Sequence, residues 1–188
     1  MKKLITILFI GILTLTGCNL KNNDDNNTNA VYDKEFGGYK KDTKYESYQE
    51  MNENILKALE EIEINEENLY LYSATLDDNS IETELGLTTK DFVNYVIKVP
   101  QYGLFDSTYC LIFKVEESHE ERVKKMLDIY FDSKISYMEN SITTEDDTYK
   151  NKVEILKNMK ITQINGYTVY VSSPDNDLVI NKLKDIIK

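Results

Sequence analysis

The sequence predicts an α+β domain in which a small antiparallel sheet of about three strands packs against helices. Three observations predict this class. Apolar residues recur at helical spacing in several segments, an apolar run at 107–115 alternates as a strand does, and Asn165-Gly166 separates two β-rich runs. The expected order of elements is α-α-β-α-(α)-β-β-α, with the helices on one face of the sheet.

Two helices are predicted at the start of this domain. Apolar residues at helical spacing predict the first helix near 46–62. A short second helix is predicted over 89–97, because Thr88 precedes it as an N-cap, Asp91 follows three residues later as in a capping box, and Pro100 would end it. The stretch 63–87 lies between them and has no clear periodicity.

The middle of the domain predicts one strand and two helices. Residues 107–115 are apolar on both alternating faces, which is typical of a central strand. Ser118 opens a capping box, and the apolar stripe behind it predicts a long helix over 119–140. A further helical stretch is predicted at 149–159.

A hairpin and a last helix are predicted to end the chain. Asn165 and Gly166 are the residue types that accept the positive φ angles of a tight two-residue turn, so the β-rich runs on either side should pair. Ser173 is the predicted N-cap of the final helix, and Pro174 suits its first position.

The first residues of the chain have the pattern of a secretory signal. Lys2 and Lys3 precede an apolar run at 4–15, which is too short for a membrane-spanning helix of about 20 residues. The positions that follow resemble a bacterial lipobox, Leu15-Thr16-Gly17-Cys18. This resemblance implies cleavage before Cys18 and lipid attachment to its thiol. A plain signal peptide with a chance cysteine is the alternative.

A polar segment is predicted to connect this anchor to the domain. Residues 18–44 are rich in Asn and Asp near their start and should form a disordered tether. The predicted organisation is therefore a signal peptide at 1–17, a tether at 18–44 and a folded domain at 45–188. Two acyl chains on Cys18 would hold the protein at the outer face of the cell membrane.

The charge of the chain limits its partners. The whole chain has 33 acidic and 22 basic residues, a net charge of -11. The tether is neutral and the signal carries two lysines, so the domain holds the whole acidic surplus of the mature chain, a net charge of −13. Nucleic acid is disfavoured as a partner, because phosphate binding needs clustered basic residues. Contact with the membrane should depend on the lipid.

No established catalytic or metal-binding motif is present in the sequence. His119 is the single histidine and lies beside a predicted helix start, while Cys110 lies within an apolar strand and is best explained as a buried structural thiol. We therefore predict no cofactor, no metal site and no catalytic residues. Carboxylates are plentiful, and a pair assembled in space could serve a glycosidase-like reaction.

The tyrosines allow two interpretations. The chain has 14 tyrosines, and four of them could form an aromatic patch for a carbohydrate or a peptide: Tyr70, Tyr72, Tyr95 and Tyr102. Core packing explains the same residues equally well.

The stretch 55–188 resembles the DUF4358 family, a group of Firmicutes lipoproteins with no assigned activity. The resemblance is carried by these segments: Leu85-Gly86-Leu87, Val99-Pro100, Cys110-Leu111-Ile112-Phe113-Lys114, Asn158-Met159-Lys160, Asn165-Gly166-Tyr167 and Ser172-Ser173. These motifs are structural, and the family supplies no catalytic residues. The lipobox is typical of such proteins.

These observations predict a lipid-anchored extracytoplasmic protein that acts as a non-enzymatic binding module at the cell envelope. Its partner would be an envelope protein or a peptide. A carboxylate-based envelope hydrolase is the alternative. The two differ in their expected sites, since a hydrolase needs two carboxylates in a concave pocket and a binding module needs an exposed apolar patch.

Overall fold

An antiparallel sheet forms the centre of the structure. The computed structural model describes residues 38–39, 45–101, 106–141 and 147–188. The strands are β1 (Gly38–Tyr39), β2 (Glu63–Ile64), β3 (Glu67–Asn68), β4 (Ser73–Thr75), β5 (Phe92–Pro100), β6 (Tyr109–Val115), β7 (Lys160–Ile164) and β8 (Tyr167–Ser172). The helices are α1 (Tyr45–Glu60), α2 (Asp78–Leu85), α3 (Glu120–Ser141), α4 (Asp147–Lys157) and α5 (Asn176–Lys184).

The main sheet has six strands in the order β1-β5-β6-β8-β7, and β4 also pairs with β5. All of these pairings are antiparallel. Strands β2 and β3 form a separate two-stranded ribbon. Strand β1 lies within the range 18–44 assigned to the tether, and residues 38–39 are the part of that range that the structure describes.

Helices cover both faces of the sheet. One core lies between the sheet and helices α2, α3 and α4, and it contains Ile81, Leu127 and Val153 from these helices together with Phe113 of β6. The second core lies between the sheet and helices α1 and α5. Because side chains alternate along a strand, Tyr95 of β5 lies in the first core and Val96 lies in the second. Both faces of this strand are therefore buried.

The domain is α+β, but the predicted sheet of about three strands, the predicted element order and the placement of helices on one face are wrong. The largest error concerns 89–97. Thr88 and Asp91 do form a capping box, but it opens only a 3₁₀ turn over Thr89–Asp91, and strand β5 begins at Phe92. Burial on both faces gives a strand a continuous apolar run, which resembles a short buried helix in sequence.

Helix α2 lies in the stretch for which the sequence showed no clear periodicity. Asp77 caps it by accepting a hydrogen bond from the Ser80 N–H at 2.8 Å. Only Ile81 and Leu85 of this helix are buried, which is too few apolar positions to establish a helical period.

The C-terminal hairpin is confirmed. Ile164 pairs with Tyr167, and the turn residues Asn165 and Gly166 have φ angles of 47° and 81°. The cap of the last helix differs from the prediction, because the side chain of Asp175, and not that of Ser173, accepts from the Leu178 N–H at 3.0 Å.

Candidate functional site: an apolar groove between α2 and α3

Helix α3 carries two apolar stripes. The first stripe is buried against the sheet and consists of Val123, Leu127, Phe131 and Met138. The second stripe is turned toward α2 and is only partly covered. It consists of Met126, Ile129, Tyr130 and Tyr137, which follow the spacing of one helix face. Ile129 is 50% exposed and Tyr137 is 47% exposed.

A groove runs between this second stripe and the C-terminal end of α2. Its volume is about 380 Å³, and Leu85 and Gly86 form its α2 side. Large apolar side chains that remain half-exposed next to one another are a common property of binding surfaces. We call this feature the α2–α3 groove.

Aromatic rings support the floor of the α2–α3 groove. The Tyr130 ring lies edge-on to Phe131 with centroids 5.1 Å apart, and Phe131 in turn lies edge-on to Tyr109 at 5.4 Å. The Lys134 ammonium lies 5.3 Å from the centre of the Tyr109 ring. These contacts hold Tyr130 and Lys134 against the sheet, so the floor is preorganised.

Glu84 and Lys134 bring one carboxylate and one ammonium group to the lining of the groove. Burial lowers the pKa of Lys134, and the carboxylates of Glu84 and Asp106 oppose this shift by stabilising its charge. Helix α2 carries three acidic residues, Asp78, Glu82 and Glu84, and no basic residue. Of these three residues, Glu84 lines the groove, and the lysine within the groove lies near two carboxylates, those of Glu84 and Asp106.

A buried carboxylate fixes the two helices relative to each other. Arg122, in the first turn of α3, donates from Nε to Asp91 Oδ1 at 3.1 Å and from Nη2 to the Gly86 carbonyl oxygen at 3.0 Å. The same carboxylate accepts from the Thr88 N–H at 2.7 Å. Asp91 thus links the C-terminal end of α2 to the start of α3 and acts as a positioning residue for the groove.

His119 lies beside this linkage. Its Nδ1 is 3.1 Å from Asp91 Oδ1 but makes no hydrogen bond to it. Among the residues that the structure describes, no group of three or more His, Cys, Asp or Glu side chains could hold a metal ion.

Cys110 lies in the other core, beneath α1. Burial raises the pKa of its thiol to about 12, although a hydrogen bond with Tyr70 and the charge of Lys98 act in the opposite direction. Since the thiolate is the reactive form of cysteine, this protonated thiol is suited to packing in the core and not to acting as a nucleophile.

A second cleft, of about 570 Å³, lies beside the start of α3 and bears on the hydrolase alternative. Glu117, Glu120 and Glu121 line it, together with the basic residues Lys114 and Lys124. All three glutamates are exposed to solvent. The cleft therefore has the concave shape and the carboxylates that the hydrolase alternative requires, and each of these carboxylates faces water.

The structure does not bring the predicted tyrosine patch together. Tyr70 is buried in the core under α1 and α5, whereas Tyr95 is buried in the core on the opposite face of the sheet. Tyr72 is 68% exposed. Tyr102 lies outside the described residues, as do the lipobox residues Leu15, Thr16, Gly17 and Cys18.

Sequence reasoning missed the α2–α3 groove although part of its signal was present. Met126, Tyr130 and Tyr137 recur at helical spacing with Val123 and Leu127, so the sequence presents all five residues as one apolar stripe. The structure separates these residues into a sheet-facing stripe and a groove-facing stripe. A hydrophobic arc too wide for one contact surface is the signal that could have indicated the groove.

Comparisons with known proteins give no match. No family model matches the chain, and no curated protein or solved structure matches it. Among the described residues, no helix has both the length and the apolar character needed to cross a membrane.

Proposed function

We propose that this chain is a lipid-anchored binding module at the outer face of the cell membrane, and that the α2–α3 groove is its binding site. The half-exposed stripe of α3 that lines the groove carries this proposal. A folded domain gains stability by burying such residues, so their exposure in a preorganised groove supports a role in binding.

The anchor is supported by the sequence alone. The short apolar run and the Leu15-Thr16-Gly17-Cys18 pattern suit cleavage before Cys18 and lipid attachment to its thiol. The net charge of the domain opposes adsorption to anionic lipid, so the acyl chains would supply the attachment. The resemblance to DUF4358 lipoproteins agrees with this location.

The anchor is tested by the location of three proteins: the natural chain, Cys18→Ala and Cys110→Ala. The second variant is a matched control, because Cys110 is the other cysteine of the chain and is buried in the domain. We expect Cys18→Ala to lose lipid labelling and to leave the membrane fraction, while Cys110→Ala stays lipidated there. Lipid labelling of Cys18→Ala would contradict the anchor.

The binding role is tested by proximity labelling at the surface of intact cells, with the labelling enzyme fused to the C-terminus. We expect a discrete set of labelled proteins that Ile129→Asp loses. Ile161→Asp is the matched control, because Ile161 is 54% exposed on β7 and lies outside the groove. Equal labelling by the natural chain and Ile129→Asp would contradict a binding role for the groove.

A further inference from the structure

We propose that the α2–α3 groove binds a basic amphipathic helix of a partner protein. This inference rests on the proposed function and specifies the chemistry of the partner. Three properties of the groove carry it: its length along α3, the satisfied backbone of its walls and the sign of the charge beside it.

The length of the groove matches several turns of a helix. Its α3 side runs from Met126 to Tyr137, which corresponds to about 16 Å along a helix axis. A partner helix lying in this groove would place apolar residues at positions i, i+3, i+4 and i+7 against Ile129 and Tyr137. The aromatic floor around Tyr130 would supply a rigid contact surface.

The walls of the groove favour a helix over an extended peptide. An extended peptide binds best where a strand edge offers unpaired N–H and C=O groups. Both walls here are helices, whose backbone groups are paired internally, and the C-terminal end of α2 is closed by Gly86, whose N–H donates to the Glu82 carbonyl oxygen at 3.0 Å. A helical partner brings its own backbone already paired, so no polar backbone group is buried without a partner.

The charge beside the groove favours a basic partner. Glu84 is the charged residue of α2 that lines the groove, α2 has no basic residue, and the domain has a net charge of −13. Lys134, which also lines the groove, lies near the carboxylates of Glu84 and Asp106. A partner helix with lysines or arginines on the flank that faces α2 would therefore meet carboxylates, and acidic residues there would be repelled.

The test uses synthetic peptides as probes and the Cys18→Ala chain, which keeps every residue of the domain and takes no lipid. Three helical peptides of about 18 residues are compared. The first has a leucine stripe with lysine flanks, the second has the same composition in scrambled order, and the third has the leucine stripe with glutamate flanks. Binding is measured by fluorescence anisotropy at low and high salt.

We expect the striped lysine peptide to bind most tightly and its affinity to fall at high salt. Ile129→Asp should weaken this binding about tenfold or more, because it removes an apolar contact and places a charge in the groove. The Ile161→Asp variant should bind the striped lysine peptide as tightly as the chain with the natural Ile161 does. Circular dichroism of both variants checks that the domain remains folded.

A second pair of variants tests the charge. Glu84→Lys reverses the charge of the α2 carboxylate that lines the groove, and Glu53→Lys makes the same change at an exposed position of α1, which covers the other face of the sheet. We expect Glu84→Lys to weaken the striped lysine peptide and to improve the striped glutamate peptide. Glu53→Lys should leave the ratio of the two affinities close to its original value.

Several results would overturn the proposal. Equal binding of the striped and scrambled lysine peptides would show that the peptides adsorb by charge alone. Tighter binding of the glutamate peptide would show that the groove prefers an acidic partner. Dimerisation of the chain that Ile129→Asp abolishes would show that a second copy occupies the groove. Groove-dependent labelling on cells combined with any of these results would refute the basic helix while leaving the binding module intact.

Discussion

Asn52 of α1 and Asn94 of β5 exchange side-chain hydrogen bonds, each Nδ2 lying 3.0 Å from the Oδ1 of the other residue. Both side chains are fully buried, and Asn94 also donates to the Tyr167 hydroxyl oxygen at 3.1 Å. This amide pair joins the first helix to the sheet and, through Tyr167, to the hairpin. Polar groups in an otherwise apolar core specify one alignment of the helix, because other alignments leave them unpaired.

Removal of one of these two side-chain amides should destabilise the domain. We expect Asn94→Ala to lower the free energy of unfolding by about 1–3 kcal/mol, because Asn52 and Tyr167 each lose a buried hydrogen-bond partner. Urea denaturation provides the measurement. Asn151→Ala, at an exposed position of α4, is the control and should change stability by less than about 0.5 kcal/mol.

A double-mutant cycle extends this test. The combined Asn52→Ala and Asn94→Ala variant should be more stable than the sum of the single losses allows, since neither amide is then left unpaired. Additive losses would show that the two side chains do not interact.

Alanine at either of two glycines with positive φ should lower stability by a similar amount, but only one of the two substitutions should displace Met126. Gly86 and Gly166 have φ angles of +65° and +81°, so either substitution should cost about 1–2 kcal/mol of stability. A Cβ at Gly86 would also come within 2.5 Å of the Met126 terminal methyl, whereas Gly166 has open space around it. The methionine end can move, so we expect similar stability losses but a displaced Met126.

The methyl resonance of Met126 distinguishes the two substitutions. It should shift in the NMR spectrum of Gly86→Ala and remain in place in Gly166→Ala, with urea denaturation run on the same samples. A loss at Gly86 that exceeds the loss at Gly166 by several kcal/mol would mean that Met126 cannot yield, and that the groove is more rigid than we infer.

Alkaline pH should destabilise the domain through Cys110. Burial raises the pKa of this thiol from 9.0 to about 12, so between these values the folded chain keeps a proton that the unfolded chain has released. Its contribution to stability is complete below pH 9.0 and is lost as the pH approaches 12. The expected slope is about 1.4 kcal/mol per pH unit within that window.

Urea denaturation at several pH values between about 9 and 10 measures this slope, and a measurement at about pH 8 gives the baseline at which the contribution is complete. Over that interval the Cys110→Val variant should lose less stability than the natural chain, whatever its stability at neutral pH. The burial of Tyr167, whose pKa is raised to about 12, adds to the loss only above the ordinary tyrosine pKa of 10.0. Identical slopes for the two proteins would mean that the thiol is not desolvated in the folded state.

Local sequence signals predicted the elements whose conformation depends on neighbouring residues. The Asn165-Gly166 turn requires positive φ, and residue types that tolerate it are few, so the hairpin could be predicted without any tertiary contact. Helices α1, α3 and α4 were predicted near their observed positions, because each has a stripe of apolar residues long enough to show a helical period.

The α2–α3 groove could not be predicted from local sequence, because contacts between residues far apart in the chain form it. The second stripe of α3 is present in the sequence, but only the position of α2 shows which of its residues are covered and which remain exposed. That position depends on Asp91, which the sequence presented as a cap residue and the structure places in contact with Arg122, 31 residues away. Hydrogen bonds over such separations leave no periodic signal.

The sequence by itself determined the helical stripes, the C-terminal turn, the acidic surplus of the domain and the resemblance of its start to a lipobox. Only the tertiary structure decided that Phe92–Pro100 is a strand, that the sheet has six strands and that helices cover both of its faces. The physical reason is that a short apolar run is compatible with a helix or a strand, and pairing with β6 together with two cores that bury its alternate side chains selects the strand.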